Sequence, residues 1–264
     1  GNLTLFAHKA DEFWLWVSSW ACFVHRPSDL GHSDDGYELP PLDVAWHEVP
    51  VDHTEHVDVE NNGQARLYRG GDLGVVGAAR EKRVTLDARV ERLMAILAER
   101  FTGPAAAGLV TDQVVVWCDL NDEQRAIEKA ITAAGWSYSS VYGSLTVEES
   151  ERRIADWKQR RTFALIGKPV MLGQGLNLQQ CNTAVFVGIT HKFNDLIQAC
   201  HRIQRYGQTR PCTAHIIYAD SEREVRRILL AKWANHRELT DRMSDLIQTH
   251  GLSRNAIEQA LARS

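Results

Sequence analysis

A chain of 264 residues with 44% apolar and 24% charged residues has room for one large domain with appendages, and its make-up is that of an ordinary globular protein. Its formal net charge of −4 and pI near 6.3 exclude a globally basic surface, so any contact with nucleic acid has to be local. Nowhere is there an apolar run of about 18 residues, as a helical membrane span needs. The five cysteines (Cys22, Cys118, Cys181, Cys200, Cys212) are scattered, form no CxxC pair, and argue for a reducing, cytoplasmic setting rather than a disulfide framework.

In chain order, "FWLWVSSWACFV" (13–24) places Phe13, Trp16, Val17, Trp20 and Val24 on one helical face. That face is either a core face or one that docks on a part of the protein outside this chain. "RPSDLGHSDDGYELPP" (26–41) is turn-rich and reads as a linker. "DVAWHEVPVD" alternates as a strand, residues 58–80 read as an insertion, and 85–100 is a helix with Leu86, Val90, Leu93, Met94 and Leu97 on its apolar face.

From about residue 109 the pattern turns regular. "VVVWC" (114–118), "SYSSVY", "FALIG" (163–167), "TAVFVG" (183–188) and "TAHIIYA" (213–219) read as strands, the first a short apolar run typical of a buried parallel sheet. Helices are expected between them: 122–134 capped by Asn121, one opened by a Thr146/Glu149 capping box and running to about Arg160, and 194–206. "SERE", from Ser221, opens a last helical stretch broken near Gly251. Strands alternating with helices predict a doubly wound, mainly parallel α/β sheet with a helical N-terminal lead and C-terminal helices. The expected division is a lead and linker over 1–41, the sheet domain over 42–220, and a helical extension over 221–264.

Two segments carry chemistry. In "QACHRIQRYGQTRP", Gln198, Arg202 and Arg205 fall at i, i+4 and i+7 of the expected helix, so they share a face opposite Ile197 and Ile203. Arginine suits phosphate because its planar fork matches two oxygens and stays protonated. Upstream, "KPVMLGQGLNLQQ" follows a strand, and Gly173 and Gly175 let backbone approach a phosphate. His47, His53 and His56 suggest a metal, as do Cys200, His201 and Cys212, but neither group has paired ligand spacing, and an exposed polar loop accounts for the histidines better. The cationic side of the helix bearing Arg223, Arg226 and Arg227 is a solvated face or a second DNA contact. No GxxxxGK[ST] occurs, so Asp119 is read as a strand-end residue and Asp122–Glu123 as an acidic first turn, rather than as a Walker B or DExx box.

"GQGLNL" followed by "QACHRIQRYGQ" resembles motifs V and VI of the superfamily 2 helicases, in the form GGxGLNL and QAxxRxxRxGQ of the Swi/Snf-type ATPases. "VVVWCDLNDEQ" is similar to their motif IV, and "VYGSLTVEESERRIADW" to the glycine–serine segment that follows, with Arg152 in its expected place. "RPSDLGHSDDGYELPPLDV" resembles the crossing between the two RecA-like lobes. The resemblance spans about residues 20–220, and its style is similar to short helicase-like proteins of bacteriophages and prophages. Lys168 stands where Ser or Thr is usual, Leu172 replaces a glycine, His201 a frequent Asp and Gln204 a frequent His.

The resemblance implies a second RecA-like lobe of a DNA-dependent ATPase, helicase or translocase, whose partner lobe, in cis or in trans, supplies the phosphate loop. It implies ATP and Mg²⁺ as cofactors, held mainly by that first lobe. Arg202 and Arg205 are then arginine fingers, and Gln198 orients the attacking water or the fingers. Gly173, Gly175 and Asn177 lie near the phosphates. Gly143, Ser144, Arg152 and Lys168 contact nucleic acid, DNA by preference with RNA open. The lobe alone is expected to be inactive, in the cytoplasm of a bacterial or phage-infected cell. The alternative is a non-catalytic module that binds nucleic acid or protein.

Overall fold

The fold is described from a computed structural model covering residues 9–18, 20, 24, 26–51, 58–59, 65–66, 84–101, 110–172 and 176–250. Gly173, Gly175, His53, His56, Cys22 and most of the 58–80 insertion lie outside these residues, apart from a short antiparallel pair, β2 (Asp58–Val59) with β3 (Ala65–Arg66).

Six strands form one sheet in the order β1-β8-β7-β4-β6-β5, every pairing parallel. They are β1 (Leu42–Val49), β4 (Val114–Trp117), β5 (Tyr138–Val141), β6 (Ala164–Gly167), β7 (Thr183–Phe186) and β8 (Cys212–Ala219). The inner strands read as unbroken apolar runs because both faces are covered. On one face Val114, Val116, Ile166, Val185 and Ile217 meet Leu93, Ile96, Ile127 and Ile131 of α2 (Leu86–Arg100) and α3 (Asn121–Ala133). The alternate residues, Val115, Trp117, Leu165, Ala184 and Ile216, are equally buried. By the right-handed rule for parallel crossovers, α4 (Val147–Lys158), the one-turn α5 (Pro169–Leu172) and α6 (Phe193–Cys200) belong on that second face. This is the doubly wound α/β arrangement that the alternation predicted, and it is RecA-like as the resemblance implied.

Several local expectations change. The helix expected over 194–206 stops at Cys200, and its hydrogen bonds tighten from i−4 at His201 to i−3 at Arg202 and Ile203. α3 starts at Asn121, and its cap is the Glu123 carboxylate, which accepts from the Asp119 and Leu120 amides at 2.8 and 2.9 Å. Only half of the Thr146 capping box forms: Thr146 Oγ1 accepts from the Glu149 amide, but the Glu149 carboxylate turns to Arg152 and Arg153. The last helix, α7 (Arg223–His250), follows a short turn in which Glu222, not Glu224, accepts from the Ala219 amide.

The chain divides into two compact units, Leu39–Leu229 and Gly1–Glu38 with Leu230–Ser264. In the smaller unit, α1 (Ala10–Ser18) buries Leu15 and, from the expected face, Val17, while Phe13, Trp16 and Trp20 are 37%, 51% and 64% exposed, so only part of that face is a core face. The linker reading at 26–41 gains an anchor. Asp29 is buried and accepts from the Arg26 amide, Ser244 Oγ and Gln248 Nε2.

Candidate nucleotide and nucleic-acid edges

In a parallel sheet every strand begins at one end and finishes at the other, so position along the strands sorts the candidate residues. Gly143 and Ser144 follow β5, and Lys168 follows β6; all three sit at the C-terminal end. Gly143 and the Lys168 segment are neighbours, since a Cβ on Gly143 would lie 3.9 Å from Met171 Cε. Asn177 precedes β7, and Arg202 and Arg205 precede β8; these sit at the N-terminal end, with Gln198 in the last turn of α6. The arginines therefore do not sit beside the strand-end turn that opens at Lys168. Lys168 and the arginines lie at opposite ends of the sheet.

At the N-terminal end, the 176–181 and 201–210 segments interlock. The Leu178 amide donates to the Arg202 carbonyl at 3.1 Å, and Arg202 Nη1 donates to the Leu176 carbonyl at 3.3 Å. Gln208, 6% exposed, is the hub. Its Nε2 donates to the carbonyls of Gln179, Cys181 and Ile203 at 2.8–3.1 Å, and its Oε1 accepts from the amides of Thr209 and Arg210 at 3.1 Å. Gly207 makes the turn possible: its φ is +89°, and a Cβ there would sit 2.8 Å from Gln179 Nε2. Nearby, Gln113 donates to the Trp157 and Thr162 carbonyls and accepts from Gln180, and Gln204 holds the Pro40 carbonyl.

That scaffold presents Arg202 half-buried and Arg205 exposed. Neither forms an ion pair among the described residues, and the buried Arg202 Nε has no hydrogen-bond partner there. Burial, followed by the neighbouring Arg205 charge, lowers the proton affinity of Arg202. Two cations held close without a carboxylate leave an unbalanced field that an incoming anion relieves. Asn177 turns back on Gln179, accepting from its amide and donating to its side chain. Gln198 is exposed beside them. The face shared by Gln198, Arg202 and Arg205 is not a single helical stripe, because only Gln198 lies in the helix.

The C-terminal end is held differently. Arg89, fully buried on α2, donates to Glu123 at 2.7 Å, to Thr85 Oγ1 at 3.0 Å and to the Val187 carbonyl, just past β7. Gly188, at φ +146°, leaves room for that guanidinium; a Cβ would lie 2.5 Å from Arg89 Nη1. Lys168 is half-buried with no ion pair among the described residues. Arg152 is exposed and engaged on its own helix, with Glu149 at 2.7 Å and Asp156 at 3.3 Å. Hydrogen bonds from Arg152 and Arg153 hold the Glu149 carboxyl at about 2.

Sequence reasoning missed Arg89, Gln208 and Gln113. For Arg89 a signal existed: with Leu93, Ile96 and Leu97 it falls at i, i+4, i+7 and i+8, an arginine on the core stripe. The metal reading at His47 meets a different arrangement. His47 Nε2 lies 2.9 Å from His215 Nδ1, and Arg92 donates to His47 Nδ1. Burial pushes His215 down to about 4. Among the described residues no three His, Cys, Asp or Glu side chains gather as a metal ion would require.

Residues 93–207 match the family described as "Helicase conserved C-terminal domain". A curated relative, "Chromodomain-helicase-DNA-binding protein 1-like" of Danio rerio, is 32% identical over 108 residues, which is 40% of this chain and 10% of that protein. The chain thus spans about a tenth of that relative's length. A solved structure, the C-terminal part of the Fun30 ATPase domain, is 16% identical, with 62% of this chain and 55% of that chain covered at a TM-score of 0.46. The likeness read from motifs IV to VI is borne out over the matched residues.

Proposed function

We propose, from the match of residues 93–207 to the helicase conserved C-terminal domain, that this chain is the second motor lobe of a Swi/Snf-type DNA-dependent ATPase. Its N-terminal sheet end faces nucleotide, and its C-terminal end faces the nucleic-acid backbone. The observation that carries the reading is the pair of guanidiniums, Arg202 and Arg205, without an ion pair among the described residues, on a turn braced by Gln208.

The residues fit a triphosphate, because they are cationic and, among the described residues, meet no carboxylate and leave the buried Arg202 Nε without an acceptor. ATP with Mg²⁺ supplies a γ-phosphoryl group whose transfer spreads negative charge over its oxygens. Arg202 and Arg205 stabilise that charge from across the interlobe cleft, and Gln198 orients water or the fingers. A finger of this kind is worth about 10³–10⁵ in rate, or about 4–7 kcal/mol. The phosphate loop and the Mg²⁺ ligands come from a first lobe, in the same chain or another. At the other end Gly143, Ser144 and Lys168 hold phosphates without reading sequence, so a mildly acidic protein tracks nucleic acid with few lysines.

The experiment joins this lobe to a phosphate-loop lobe and measures DNA-stimulated ATP hydrolysis. Hydrolysis by the joined protein, absent from the 264-residue chain alone and lost in Arg205→Ala with folding retained, is the expected result. Equal hydrolysis by wild type and Arg205→Ala removes the finger role. Tight DNA binding by the chain alone, with no hydrolysis in any joined form, favours the non-catalytic module.

A further inference from the structure

A cleft of about 210 Å³ opens at the C-terminal ends of β4, β6 and β7, wholly within the sheet unit. Its walls are mainly apolar: Trp117, Phe186, Val170 and Leu196 among them, with Trp117 and Phe186 stacked at 6.2 Å. Two further features mark it. Trp117 is 1% exposed, yet its indole N–H has no acceptor among the described residues. The cleft also takes Lys168 from the end of β6 and Lys192 from the segment after β7, with Asp119 and Asp195 in the same lining. β4 lies between β6 and β7 in the sheet. Lys168 has no carboxylate partner among the described residues, and Lys192 only a long one, Asp195 at 4.0 Å.

An apolar slot with a buried donor unsatisfied among the described residues and two lysines in its lining matches one nucleotide unit better than it matches a bare backbone. A base supplies a flat apolar body and ring acceptors, and the phosphates on its two sides meet the lysines. The geometry points to this cleft as a pocket for a single unstacked base of the tracked strand, with the flanking phosphates on Lys168 and Lys192. This rests on the nucleic-acid edge proposed above and adds that the lobe grips a base as well as phosphates. The volume is below that of ordinary ligand pockets, which suits one base and not a whole dinucleotide.

Fluorescence anisotropy of the full chain with a short labelled oligodeoxythymidine, and with the same strand carrying abasic positions at its centre, tests it. Wild type is expected to bind the abasic strand about fivefold or more weakly, the loss of one stacked base. Val170→Met lays an unbranched side chain without an aromatic face across the mouth; Val170 is 63% exposed, so the fold tolerates it. That variant is expected to bind both strands alike. Trp117→Phe, which removes the indole N–H, is expected to narrow the difference, and Lys168→Ala or Lys192→Ala to weaken both strands and lower the salt slope by about one. Equal binding of the two strands by wild type, or undiminished discrimination by Val170→Met, overturns the base pocket and leaves the phosphate contacts standing. Binding of neither strand overturns the nucleic-acid edge, and the pocket with it.

Discussion

The two ends of the sheet differ in what is buried to brace them. At the N-terminal end the buried braces are neutral amides: Gln113, Gln180 and Gln208 tie the segments before β4, β7 and β8, beside one exposed ion pair, Arg210–Asp112 at 3.0 Å, and leave the charges of Arg202 and Arg205 unspent. At the C-terminal end a buried ion pair, Arg89–Glu123, ties α2 to the start of α3 and to the exit of β7. The difference is instructive. A scaffold of amides can hold a cationic site without neutralising it, whereas a carboxylate near Arg202 would compete with phosphate. A buried pair at the far end does no such harm, because it consumes its own charge.

The largest effect that separates the ends is on chemistry. In a joined, active protein Arg205→Ala is expected to slow ATP hydrolysis by about 10³–10⁵, measured at saturating DNA, with DNA affinity kept. Next is stability. Arg89→Met strands Glu123 in the core and is expected to cost about 3–5 kcal/mol, seen as a fall in Tm of about 10 °C or more. Gln208→Ala orphans three carbonyls and two amides, for a smaller loss of about 1–3 kcal/mol. It also lets the arginine turn relax, so hydrolysis falls with it, whereas Arg89→Met changes stability with little change in the rate per folded molecule. Equal kinetic damage from both variants would erase the distinction between the ends.

The smallest effect is a pH dependence at the β1–β8 edge. His215 sits at about 4 and His47 is also lowered by burial, so an unfolded chain binds protons before the folded one does. Their contribution is complete above about pH 6.5 and is lost as pH falls from there towards 4. The surrounding charges are Arg92, Glu99 and Arg100. His215→Gln is expected to flatten the slope of Tm against pH in that window. Glu48 and Glu149, both held at about 2 by arginine, act in a lower window, losing their contribution as pH falls below about 4.5.

Most of the fold was legible because its signal is local. Inner strands such as β4 are apolar at every position, since both faces are covered, and the helices between them carry a single apolar face. Parallel pairing followed from the alternation. What escaped was the product of long-range contact. The end of α6 at Cys200 is set where 201–203 dock against the 176–181 segment, and nothing between Phe193 and Tyr206 announces it. The separation of Lys168 from Arg202 was equally hidden, because spacing along the chain does not say at which end of a strand a residue emerges. The arginine motif was legible, while its place at the N-terminal end required the sheet order; Gly173 and Gly175 lie outside the described residues. Arg89 was legible in principle, being charged on an otherwise apolar stripe, but its partner Glu123 lies 34 residues away.

The most direct test is a crossed comparison of Arg205→Ala and Lys168→Ala in one joined protein, each assayed for ATP hydrolysis at saturating DNA and for DNA affinity. Two functional ends predict that Arg205→Ala loses hydrolysis by about 10³ or more while holding DNA, and that Lys168→Ala weakens DNA binding while keeping most of its saturated rate. Loss of DNA affinity in Arg205→Ala equal to that in Lys168→Ala, with hydrolysis intact, contradicts it.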